Sequence, residues 1–78
     1  MPKLPELKPK QIEQILHRAG FLLDHQKGSH RTYLNPETNK YTTIAFHPGT
    51  IPKGTLRAII SQTGLSPEEF LNLHRKNK

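Results

Sequence analysis

The run Gln26-Lys27-Gly28-Ser29-His30-Arg31-Thr32-Tyr33 sets a histidine directly after Gly-Ser, between two cations, with an aromatic three residues on. An imidazole side chain titrates near ~6.5, so it can take or give a proton close to neutral pH. Lys27 and Arg31 flank His30 with positive charge that could hold a phosphate through charge-assisted hydrogen bonds, and the Tyr33 ring offers a face on which a base could stack. RNA carries its own nucleophile. Its 2′-hydroxyl attacks the neighbouring phosphorus once a base removes its proton and something neutralises the developing oxyanion. The run therefore points to RNA handling more than to packing. In a regular strand Lys27 and Arg31 would share one face and His30 would take the other. A bulge at Gly28-Ser29 is what would bring all three together.

Thr50-Ile51-Pro52-Lys53-Gly54-Thr55 is a second candidate. A helix start offers unpaired N–H groups and the positive end of a dipole, Lys53 adds a charge, and Gly54 would let a phosphate approach closely. The same residues also suit an ordinary helix start, and no G-x4-G-K-[ST] run exists. His25-x4-His30 fits neither a helical His pair nor a zinc-finger spacing, and there are no cysteines to complete a site. A two-metal nuclease needs clustered carboxylates. Here Asp24 is the only acid between Glu13 and Glu37, and Glu13, Glu68 and Glu69 lie in helices. No metal or cofactor is implied. His17 and His74 read as surface residues, and His25 as a bystander at the end of a strand.

These residues sit in a chain of 78, with 12 Lys and Arg against 6 Asp and Glu, net charge +6 and pI about 10.0. Such an excess draws a small domain to polyanions, because each neutralised phosphate releases condensed counterions. An acidic protein would also satisfy it. At 32% hydrophobic the chain has apolar residues for one modest core and one domain over 1–78. The absence of cysteine fits a reducing compartment. No apolar run reaches the ~20 residues of a membrane span, and Met1-Pro2-Lys3-Leu4-Pro5 lacks the apolar stretch of a signal peptide, so a cytoplasmic location is expected.

The elements that must position the candidates are legible from periodicity. Residues 1–7 read as an extended lead-in. Pro9 suits a first helical turn, and Ile12, Ile15, Leu16 and Ala19 make one apolar stripe that Gly20 ends as a left-handed cap, with Leu7 and Ile12 as a hydrophobic staple. Phe21 to Gln26 reads as a strand with Phe21 and Leu23 on one face. Lys27-Gly28 turns or bulges the chain, and strands follow over Ser29 to Leu34 and Tyr41 to Phe46. A helix from about Pro52 carries Leu56, Ile59, Ile60 and Thr63 inward and ends at Gly64. Ser66-Pro67-Glu68-Glu69 opens a short last helix with a capping box, leaving a basic tail over 75–78. The expected architecture is α+β: helix, three antiparallel strands, helix and short C-terminal helix, in a two-layer sandwich whose other sheet face stays open.

With those residues in view, the chain resembles the HicA family of toxin–antitoxin RNA-cleaving toxins. The resemblance runs from about Ile12 to Leu73. It rests on Ala19-Gly20-Phe21, Lys27-Gly28-Ser29-His30-Arg31, Phe46-His47-Pro48-Gly49, Pro52-Lys53-Gly54-Thr55-Leu56, Ile59-Ile60-x-x-x-Gly64-Leu65 and Glu69-Phe70, in this order and spacing. It implies a double-stranded-RNA-binding-like fold, and metal-independent endoribonuclease action on mRNA with His30 as the catalytic residue. It also implies a HicB-like antitoxin that covers the active face. His47 matches a histidine of some relatives and stands as an auxiliary candidate. The chain departs from the pattern in its Pro-rich lead and in lacking Ser or Asp before the first helix. A non-catalytic RNA-binding module of the same architecture, or an adaptor that docks an acidic protein, remain the alternatives.

Overall fold

The structure, a computed structural model, describes residues 3–75. Helix α1 (Pro9–Arg18) begins where Lys8 adopts an extended backbone and its N–H donates to Gln11 Oε1 at 2.8 Å. It ends in a Schellman motif: Gly20 turns left-handed at φ +96°, its N–H bonds His17 O at 3.1 Å, and the Phe21 N–H reaches Leu16 O at 2.8 Å. Phe21 is thereby spent on closing the helix and enters the core, rather than starting the first strand as the sequence suggested.

Strands β1 (Leu22–Lys27), β2 (His30–Asn35) and β3 (Lys40–Ala45) form one antiparallel sheet in the order β1-β2-β3. Helix α2 (Lys53–Thr63) packs on β3, and Thr42 Oγ1 donates to Gln62 Oε1 at 2.6 Å across that contact. Helix α3 (Pro67–Arg75) opens with the expected capping box, Ser66 N–H to Glu69 Oε1 at 2.9 Å and Glu69 N–H to Ser66 Oγ at 3.1 Å. It lies against α1, where the Arg18 guanidinium donates to Leu73 O at 3.2 Å. This is the expected α+β architecture.

One core fills the space between the helices and one sheet face. Ile12, Ile15 and Leu16 of α1 meet Tyr33 and Ile44 of the sheet, Leu56, Ile59 and Ile60 of α2, and Phe70 of α3. The lead-in is more than a spacer. Leu4 and Leu7 are buried in that core, and Leu7 O accepts the Ile51 N–H at 2.8 Å, tying the lead to the loop before α2. Met1, Pro2 and the end of the basic tail, residues 76–78, lie outside the described residues.

Candidate functional site

The hairpin joining β1 to β2 turns at Gly28 and Ser29, with Lys27 and His30 as the last paired residues. Gly28 has φ +59°, at the position that a type II′ hairpin turn reserves for glycine. The turn is held from both sides. Gln26 Nε2 donates to Gly28 O at 3.2 Å, and the Phe46 N–H donates to Ser29 O at 2.7 Å.

A β-bulge decides which side chains meet. It lies not at Gly28-Ser29 but earlier, between Leu23 and His25, where Asp24 is the extra residue. Beyond it His25 pairs with Thr32, Gln26 with Arg31 and Lys27 with His30. Directly paired residues share a sheet face, so Lys27 and His30 stand side by side, with His25 two residues along on the same face. Without the extra residue His25 would fall on the opposite face. Among the described residues no helix covers this face. Thr32 and Thr43, paired across β2 and β3, bond each other there at 2.9 Å, and Leu22, Leu34 and Tyr41 form an apolar row with Leu22 61% and Tyr41 64% exposed.

Arg31 and Tyr33 belong to the other face. Tyr33 is fully buried and its hydroxyl donates to Glu13 Oε2 of α1. The Arg31 guanidinium donates to the same oxygen at 3.3 Å and lies 4.1 Å over the Phe46 ring. Two expectations are corrected by this. Tyr33 has no ring face open to a base, because it is a core residue, and Arg31 does not join Lys27 beside His30, because it is engaged beneath the sheet. Burial, then the hydrogen bond to Glu13, push the Tyr33 hydroxyl up to about 12, against the opposing pull of Arg31.

His47 follows Phe46 into the loop of residues 46–52. There it lines a shallow cleft of ≈ 470 Å³ with Phe46, Pro48 and Gly49 on one side and Lys8, Pro9 and Lys10 at the start of α1 on the other. The cleft adjoins the hairpin turn through the Phe46–Ser29 bond. Lys53 and Gly54 form the exposed first turn of α2, with open space where a Gly54 side chain would stand. That turn is on the helix side of the sheet, not on the face that carries His30.

Sequence reasoning passed over two residues. Glu13 sits one position past Ile12, at the margin of the apolar stripe, and only the fold shows that β2 lies beneath it. The other is Asp24, whose Oδ2 is 2.8 Å from His25 Nδ1. Among the described residues no group of three or more His, Cys, Asp and Glu could hold a metal ion, and no helix is long and apolar enough to cross a membrane.

A comparison with protein families agrees with these features. The family described as the HicA toxin of bacterial toxin–antitoxin systems matches residues 9–65, which take in α1, the sheet and α2. No curated protein sequence matches at a significant level. The matched span is well over half the chain and contains the Gly-Ser-His turn, the Phe-His-Pro-Gly loop and both glycine-capped helices; the chain belongs to the HicA toxin family of bacterial toxin–antitoxin systems.

Proposed function

We propose that this toxin is a metal-independent endoribonuclease that cleaves mRNA, with His30 as an acid–base group and Lys27 beside it as the phosphate ligand. The observation that carries the reading is the direct Lys27–His30 pairing at the hairpin turn, on a sheet face left bare by the helices. The Cβ atoms that carry the cation and the titratable ring then stand about 5 Å apart, the ordinary spacing of directly paired residues, so both groups can reach one phosphate. The Gly28 and Ser29 backbone lets the strand come close. His47, Lys53 and Gly54 are secondary contacts for the strand as it leaves the sheet end, with the lysines of the cleft adding charge.

The carboxylates support a reaction without bound metal by their dispersal and their existing engagements. Glu13 serves Tyr33 and Arg31, Asp24 serves His25, and Glu69 caps α3. A toxin of this kind has a cognate antitoxin. We assign it as a HicB-like protein that covers the open face, gripping the apolar row Leu22, Leu34 and Tyr41, whose outer members are exposed, on the same face as the site. The open face and basic charge would also suit an RNA-binding module without catalysis, so the test must read cutting and binding separately. His30→Ala should abolish RNA cleavage in excess EDTA and relieve growth arrest while the circular dichroism spectrum stays that of the parent protein. Intact RNA bound by the unaltered protein, or cutting by the variant at the parent rate, would refute the assignment.

A further inference from the structure

The bulge that sets Lys27 beside His30 also brings Asp24 to His25, and neither of those two residues has a catalytic part in the reading just given. Adjacent residues of a regular strand point to opposite faces, yet Asp24 Oδ2 and His25 Nδ1 are 2.8 Å apart. The extra residue in the ladder is what allows it, since bulges re-aim side chains and bend the strand locally. The same bulge places His25 opposite Thr32, two residues along from the Lys27–His30 pair and on the same face. His25 and His30 are thus diagonal neighbours on the bare face, at about 7–8 Å by the ordinary spacing of such pairs. Among the described residues the groups that face His25 are Asp24 and Lys27 on its own strand and His30 and Thr32 on β2, and no helix packs over them.

We infer that His25, held by Asp24, is the second catalytic residue of the RNA cleavage, acting on one side of the scissile phosphate while His30 acts on the other. This rests on the ribonuclease reading. An ionised carboxylate only accepts hydrogen bonds, so the Asp24 contact keeps the hydrogen on Nδ1 and leaves Nε2 as the basic nitrogen. His25 Nε2 takes the proton of the 2′-hydroxyl, and the 2′-oxygen forms its bond to phosphorus. The bond from phosphorus to the 5′-oxygen breaks, and His30 in its protonated form gives its proton to that leaving oxygen. The products are a 2′,3′-cyclic phosphate and a 5′-hydroxyl end, and solvent restores both rings. In-line displacement puts the entering and leaving oxygens on opposite sides of phosphorus, which is why two separated imidazoles serve it better than one. Asp24 is a positioning residue.

The experiment is a pH profile of kcat/KM on an RNA oligonucleotide in EDTA for the parent, His25→Ala, Asp24→Asn and His30→Ala, with a second substrate whose leaving 5′-oxygen is replaced by sulfur. The parent should give a bell. His25→Ala should lose about 10²-fold or more and with it the acid limb of the bell. Asp24→Asn should lose less, with kcat lowered, KM held and the acid limb displaced. The sulfur leaving group needs no acid, so it should restore cutting to His30→Ala and not to His25→Ala. His25→Ala cutting at the parent rate with an unchanged profile, while His30→Ala is dead, overturns the role of His25 and leaves the ribonuclease reading standing. Rescue of His25→Ala by the sulfur substrate overturns it too. Parent-level cutting by His30→Ala overturns the reading on which it rests.

Discussion

Glu13 is the residue on which the inner side of the site depends. One carboxylate oxygen receives both the Tyr33 hydroxyl and the Arg31 guanidinium, joining α1 to the strand that carries His30. Tyr33→Phe should cost about 1–2 kcal/mol in denaturant unfolding, because a hydrogen bond to a charged acceptor is lost and that acceptor is left partly buried. The hydroxyl, raised to about 12 in the folded state, ionises near ~10 in the unfolded chain. The folded state therefore holds this proton more tightly than the unfolded one. Its contribution is complete below about pH 10 and is lost as pH rises towards 12, so alkaline unfolding of Tyr33→Phe should be less steep over that window than that of the parent. At this scale the sequence told part of the story. Strand alternation separates Arg31 from His30, as expected, but nothing local to Tyr33 shows that its face is the covered one. That depends on Ile44 and Thr42 across the ladder and on where α1 lands.

Among the elements, the helices were almost fully legible, because a stripe at 3.6-residue spacing and a glycine stop carry their own geometry. Leu56, Ile59, Ile60 and Thr63 are all buried, and Gly64 caps α2 at φ +81°. A side chain there would be strained, and its Cβ would stand 2.8 Å from the Lys40 methylenes. Gly64→Ala should lower stability by about 1–2 kcal/mol, read as a shifted denaturation midpoint. The first strand was less legible. A bulge with no glycine or proline at Asp24 leaves no mark in the periodicity of so polar a strand, yet it determines which of Gln26 and Lys27 stands beside His30. The nearby turn does have its signal in Gly28, which has room for a methyl group but a left-handed backbone. Gly28→Ala should cost about 1 kcal/mol and slow RNA cleavage well beyond that loss of stability, since the Lys27–His30 alignment is set there.

For the molecule as a whole, a charge of +6 spread over one small domain predicts binding that weakens steeply with salt. Lys27→Ala should lower the slope of log affinity against log salt by about 0.7 for single-stranded RNA, the share of one phosphate contact. Lys8→Ala with Lys10→Ala tests the cleft by the same readout. Charge was legible from composition, but its arrangement was not: the bare sheet face, the cleft at its end and the apolar row offered to an antitoxin exist only once the helices have all gone to one side. The central claim is that imidazoles on that face let RNA's own 2′-hydroxyl do the cutting. The most direct test is an RNA oligonucleotide in EDTA compared with its twin bearing a single 2′-deoxy sugar at the cleaved position. The parent protein should cut the first, leaving a cyclic phosphate, and spare the second at that bond. Equal cutting of both, or no cutting of either until a divalent metal is added, would contradict it.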